Sequence, residues 1–526
     1  MRFVIVATCA LMLAACARGR ASEIVTPRDV PAADGAPRVV RVRDLGTVAD
    51  FPTSGVVSDA EGDGRFVVGE LVLIEGKDFG KLPTILIGGR PARVVARTRG
   101  GGVVVRIPDG LAPGPCPVEV SHPGGKDARD VELRRLALAT RPMSGRIHVL
   151  DVNEKDVQLL PVEISVPAPV SVGYSMSGGV GLVLSAPSDA SGKPSPGRLV
   201  GIGMAAPGGP RVVSETSVEV NGPRIVAIAE RAPVMAVVGT SEVQLFSLSD
   251  EQHPAPWPVT PLPSEIRPAS VIAAAMDPLG TVLALLVPEG NVVAVLDVSR
   301  PQAPRLAGIF ELLPGERLPA VRDIRFSPDG ENLWILAGDN SASISAGKQP
   351  IRSIAVRLAK EDGPSGQSLS LAVTGAEVVA ASGVPLRLAI PRAQSVASGA
   401  AVRAGTSRSV VLASSMDAKL LGAQAALLRT LGEPGMLLRV DHGGRGGILS
   451  SHAAVLGAID VTPDARILLA MACRWPSGNG EGTSGLEQGI VAAPLGGAGK
   501  PTFLKIGEIL GDKFEPWALG EVKIQP

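Results

Sequence analysis

Val321-Arg-Asp-Ile-Arg-Phe-Ser-Pro-Asp-Gly-Glu-Asn-Leu-Trp-Ile-Leu-Ala337 decides the fold. Two apolar runs flank Ser-Pro-Asp-Gly, a turn with a mechanical reading. Pro328 presets the first turn angle, Asp329 can bond nearby backbone amides, and Gly330 can take the left-handed position. The stretch therefore reads as a β-hairpin.

The same unit recurs outward in both directions. Val271-Ile-Ala-Ala-Ala-Met-Asp-Pro-Leu-Gly-Thr-Val-Leu-Ala-Leu-Leu-Val287 is one copy, and Ala458-Ile-Asp-Val-Thr-Pro-Asp-Ala-Arg-Ile-Leu-Leu-Ala-Met-Ala472 another. Weaker copies begin near Val170, Arg224 and Pro385. The period is roughly 50 residues, stretching to about 70 late in the chain, as four-stranded units in series would give. No helical period competes with it from Met143 to Pro526. The pattern resembles bacterial β-propellers of the YVTN and TolB-like kind; a β-sandwich array and a β-helix are the alternatives. The resemblance implies about seven blades. Six come from the repeat starts, and a composite one joins residues 146–151 and 157–160 to the C-terminal residues 518–524. Such closure would leave no free strand edge.

Upstream, a second pattern occupies residues 66–121. It runs through Leu71-Val-Leu-Ile-Glu-Gly-Lys-Asp-Phe-Gly80, Thr84-Ile-Leu-Ile-Gly-Gly-Arg-Pro-Ala92, Val103-Val-Val-Arg-Ile-Pro-Asp-Gly110 and Gly114 before Val118-Glu-Val120. Short strands between Gly, Pro and Asp turns argue a small β-sandwich. These residues resemble a TIG (IPT) domain, which implies an immunoglobulin-like fold. Phe79 is then expected to plug the core beside Gly76 and Gly80. The predicted organisation is all-β: a signal peptide over 1–15, a flexible tether over 16–38, a small immunoglobulin-like β-sandwich over 39–138 and a β-propeller over 139–526.

The first residues give an address. Arg2 leads an apolar run from Phe3 to Ala15, too short for a bilayer span of about 20 residues and the size of a signal-peptide core. It ends in Leu13-Ala-Ala-Cys16, which resembles the bacterial lipobox. The resemblance implies lipidation of Cys16 and cleavage before it. Ala17, where Asp favours inner-membrane retention in such lipoproteins, points to the outer membrane. Composition agrees with a β-rich chain: of 526 residues, 63 are Gly and 46 Pro, and only 3% are aromatic. Lys+Arg and Asp+Glu are both 51, so the net charge offers no case for nucleic acid. Of four cysteines, Cys9 leaves with the signal. Cys116 and Cys473, read as lying in different domains, are expected as small buried side chains rather than a disulfide.

Chemistry is sparse. Asp59-Ala-Glu61-Gly-Asp63-Gly64 with Glu70 copies the ligand spacing of a calcium loop. The long Glu61 at the third position and the lack of helical flanks favour a solvated acidic loop, so no metal is expected. Ser175 and Ser177 lack the closing glycine of a hydrolase elbow. Ser345 and Lys348 lack a helix to align them. The glycine-rich 442–447 lacks the setting of a phosphate loop. His148, His253 and His452 are scattered. The inner-strand positions read as Val, Ala, Ile and Leu. The expectation is therefore a lipid-anchored, exported envelope protein, binding or scaffolding through its surfaces, with no catalytic residue, no cofactor and no enzymatic activity. Envelope proteins or glycans are the expected partners. The alternative is a propeller enzyme, lactonase-like hydrolase or quinoprotein, recognisable by polar groups converging on the central channel.

Overall fold

The structure is a computed structural model. It describes residues 22–25, 35–46, 56–57, 66–108, 111, 114–152, 157–187, 197–204, 209–266, 271–287, 292–312, 320–338, 351–363, 366–380, 384–389, 410–415, 436–440, 446–450, 455–463, 467–474, 486–494, 501–509 and 520–526. The described elements are β-strands and one short 3₁₀ turn, Pro142–Ser144. They fall into two compact units. The first holds Met1–Arg135 with two short later stretches, and the second holds the remainder from Leu136. The division lies inside one long strand, Gly125–Arg141, three residues before the boundary read from the sequence.

The first unit packs two sheets on a shared core, antiparallel but for the short parallel pairing of Phe66–Val67 with the long strand. Val72, Ile74, Val103 and Val105 come from one sheet, and Ile85, Ile87, Val118 and Val120 from the other. Phe79 is 2% exposed within this core. Gly76 makes room for it, since a Cβ there would lie 2.2 Å from the Phe79 ring. Asp78 and Gly80 flank it with positive φ, a conformation that glycine takes freely. Ser22–Val25, inside the stretch read as a tether, forms a strand paired with Val94–Thr98.

The second unit is the β-propeller expected from the repeats. Six sheets follow one another along the chain, five of four strands and the second of five, each beginning with its inner strand. These inner strands are Pro169–Tyr174, Ile225–Ile228, Ala273–Met276, Ala320–Phe326, Val384–Ala389 and Val455–Val461. We number these blades one to six. Each inner strand lies beside the next, and Val522–Ile524 lies beside both the sixth and the first, so the ring closes.

Two turns show why the repeat looks as it does. In blade four, the Asp329 carboxylate accepts from the Glu331 amide at 2.9 Å, and Gly330 has φ +77°. In blade three, Asp277 accepts from the amides of Thr281 and Val282 at 2.6 and 2.8 Å, and Gly280 has φ +67°. These glycines also face the preceding blade. A Cβ on Gly280 would sit 3.1 Å from Val234, and one on Gly330 would sit 3.2 Å from Pro278. Gly178 of blade one meets Pro526 in the same way, at 3.1 Å. The glycine thus serves both the turn and the dovetail between blades.

The seventh blade is composite, as expected, but its order differs. Val522–Ile524 pairs with Ala137 to Ala139 of the long strand, not with residues 146–151. Arg146–Val152 and Val157–Ser165 then follow outward. Residues 136–139 are 0–2% exposed: an apolar run buried on both faces, which suits an interior strand and not the edge of a sandwich. Gln525 completes the seam. Its amide donates to Leu136 O at 2.9 Å, its Oε1 accepts from Leu136 N at 3.1 Å, and its Nε2 donates to Gly178 O in blade one at 2.7 Å. Toward blade six, Ile524 N donates to Asp460 Oδ2 at 2.8 Å. Arg141 binds Gln488 Oε1 at 2.9 Å and Glu508 O at 2.8 Å.

Candidate active site

Inner strands converge on the ring axis, so side chains there must be small or must accept a shared cavity. Ala227, Ala273, Ala274 and Ala275 supply the small ones, each under 9% exposed. A cavity of about 110 Å³ remains, room for several waters. Its walls are residues 172–174, 226–228 and 274–276, with Pro278 and Phe326. Four charged residues also line it: Glu230, Arg325, Asp460 and Lys523. They come from blades two, four, six and seven, so only the closed ring assembles them.

Arg325 is the hub. Its Nη2 lies 3.8 Å from Asp323 Oδ2 on the same strand, and 32% of its side chain stays open. Asp323 itself is almost wholly buried and accepts from Ile324 N at 2.9 Å. Asp323 first, then Glu521, Asp460 and Glu230 across the ring, hold the guanidinium protonated above its ordinary range against the cost of burial. Asp460 has one oxygen on Ile524 N, and its other lies 3.9 Å from Lys523 Nζ. Glu521 accepts from Ser171 Oγ and Val172 N, both at 3.0 Å, so it staples blade seven to blade one. Among the described residues, no group of three or more His, Cys, Asp or Glu side chains is placed to hold a metal.

The residues singled out from the sequence lie elsewhere. Cys16, Asp59, Glu61, Asp63, Ser345, Lys348, His452 and residues 442–445 fall outside the described residues. Glu70 is 1% exposed and accepts from Val67 N at 2.8 Å, so it serves its own turn. Ser175 Oγ donates to Glu251 at 3.1 Å, and Ser177 donates to the same carboxylate through its amide at 3.0 Å and through its hydroxyl. That arrangement ties the blade-one turn to the loop after blade two's third strand. His148 is buried with Nδ1 3.7 Å from Glu163. His253 is exposed beside Asp250. Cys116 and Cys473 are buried and not disulfide-bonded; burial, then Asp130, pushes the Cys116 thiol up to about 11, so it is inert at neutral pH.

Glu230, Arg325, Asp460 and Lys523 were not foreseen. The signal was a lone charge inside an apolar inner strand: Ile324-Arg-Phe326, Ile459-Asp-Val461, Val522-Lys-Ile524. A charge costs too much in a both-sides-buried strand unless it faces a cavity with partners. The reading of bare Val, Ala, Ile and Leu inner positions is thereby corrected.

No family model matches the chain, and no curated protein matches it. Solved structures do. The periplasmic gluconolactonase of Pseudomonas aeruginosa is 15% identical, over 75% of this chain and 99% of that one, with a TM-score of 0.47. A Bacteroides uniformis protein, proposed to be a 6-phosphogluconolactonase, is 12% identical over 74% and 99%, with a TM-score of 0.45. A β-propeller domain from Myceliophteria thermophila is 11% identical over 64% and 92%, with a TM-score of 0.41. At these identities the likeness concerns the fold. The expectation that the chain is no enzyme is nevertheless corrected. The apolar inner strands that argued against catalysis carry charged side chains into a cavity.

Proposed function

We propose that the second unit is a propeller hydrolase that opens small hydroxyl-rich lactones. The observation that carries this is the axial cavity, where a guanidinium, an ammonium and two carboxylates from four blades meet. Arg325 has the donors to hold a carbonyl oxygen and to stabilise the oxyanion that forms there. Glu230, in the turn after the blade-two inner strand, has the carboxylate for general-base work. It takes a proton from water as the water oxygen bonds to the acyl carbon. The ring C–O bond then breaks, and the proton returns to the departing alkoxide. Asp460 and Lys523 supply an acceptor and a donor for substrate hydroxyls.

The remaining sequence expectations enter here as part of the same reading. Cys16 carries a lipid that tethers the enzyme outside the cytoplasm, at the outer membrane. The first unit is an immunoglobulin-like domain of the TIG kind, which follows the anchor and precedes the propeller along the chain; its two-sheet core supports this.

The test is hydrolysis of glucono-δ-lactone by the purified chain, followed with a pH indicator. Rates above buffer are expected. Arg325→Ala and Glu230→Gln should each lower kcat by at least roughly tenfold, as loss of an oxyanion donor or of a base does. Wild-type rates equal to buffer would overturn the proposal.

A further inference from the structure

We infer that the axial cavity selects uncharged ligands and rejects anionic ones, an inference that rests on the hydrolase reading for its substrate but not for its charge rule. Lactonase-type substrates come as neutral sugars or as sugars carrying phosphate or carboxylate. A propeller built to take the anionic kind needs uncompensated cations in its channel. This cavity lacks that surplus among its described residues. Two carboxylates, Glu230 and Asp460, line it with the two cations Arg325 and Lys523, and Asp323 and Glu521 add to the negative field on Arg325.

The placement of the cations matters as much as the count. Arg325 lies 3.8 Å from Asp323 on its own strand. Lys523 lies 3.9 Å from Asp460. Each cation therefore meets an incoming group with its charge already answered. Such a group can donate to a neutral carbonyl or hydroxyl. It has no surplus charge to repay the desolvation of a phosphate, whose cost in a confined site is several-fold that of a hydroxyl. The carboxylates Glu521 and Asp460 are fixed by backbone amides, Val172 N at 3.0 Å and Ile524 N at 2.8 Å, so they cannot swing away to relieve the repulsion.

The experiment compares glucono-δ-lactone with its 6-phosphate on the purified full-length chain at neutral pH. The neutral lactone should be preferred by tenfold or more in kcat/KM. Asp460→Asn removes one negative charge and keeps an acceptor for Ile524 N. It should narrow the preference severalfold by raising turnover of the phosphorylated substrate, and added salt should narrow it in the wild type. A second arm separates the two readings. Calorimetry with glucose and glucose 6-phosphate measures the charge rule without chemistry. Absent hydrolysis, with glucose bound in preference to its phosphate, would sink the hydrolase reading and keep the charge rule. Equal or stronger turnover or binding of the phosphorylated partner would overturn the charge rule, and so would failure of both assays to register any ligand.

Discussion

A single side chain can carry a readable load here, and His148 is the clearest case. Its side chain is 3% exposed, Nε2 has no hydrogen-bond partner among the described residues, and Nδ1 lies 3.7 Å from Glu163. Burial lowers its pKa; Glu163 opposes this, and Arg141 and Arg146 add to it. The folded state therefore binds fewer protons than the unfolded chain below the ordinary histidine value of about 6.5. Stability is full above that pH and falls as pH drops toward the folded pKa. The melting temperature should fall between pH 7 and pH 5, and His148→Gln should flatten that dependence. An identical pH slope in the variant would assign the effect to another group. Gly280 gives a second prediction. Its φ is +67°, and a methyl group added there would meet Val234 at 3.1 Å. Gly280→Ala should therefore cost about 1–3 kcal/mol through backbone strain and crowding. Urea unfolding of the two proteins measures it.

At the scale of the element, the strand Val522–Ile524 does more than its length suggests. It buries Val522 and Ile524 at 0% and 2% exposure, and the residues around it bond blades one, six and seven. Two buried aliphatic side chains contribute about 1.5–3 kcal/mol each, and the lost hydrogen bonds add roughly 1 kcal/mol apiece. Removing residues 520–526 should therefore lower stability by on the order of 5 kcal/mol or more and melt the propeller as a unit. An unchanged melting temperature would show that the ring closes without this strand. The inner hairpins were legible in the sequence because Ser-Pro-Asp-Gly and Asp-Pro-Leu-Gly announce a turn through local chemistry alone. The closing partner was not. Leu136-Ala-Leu-Ala139 follows Arg134-Arg135 within one strand that begins in the first unit, with no turn residue to mark the change, and its partner lies at the other end of the chain. The cavity charges were harder still. A lone Arg, Asp or Lys in an apolar strand reads locally as its solvent face; only ring geometry turns those positions toward one axis.

At the scale of the molecule, address and chemistry make separate claims. If Cys16 holds the chain at a membrane, Cys16→Ser should move the protein from the membrane fraction to the soluble fraction while hydrolysis of glucono-δ-lactone persists. Retention in the membrane fraction at high salt would refute the anchor. The composite blade has one more consequence, and it concerns time. Ala137 to Ala139 are synthesised early, but their hydrogen-bonding partner follows roughly 380 residues later. At 5–20 residues per second, that is a delay of roughly 20–80 s. Throughout that interval an apolar strand edge stands open, the kind of edge that recruits other chains. A chain exported before folding would meet this hazard wherever it emerges, so its yield should depend on holdase chaperones until the last strand arrives.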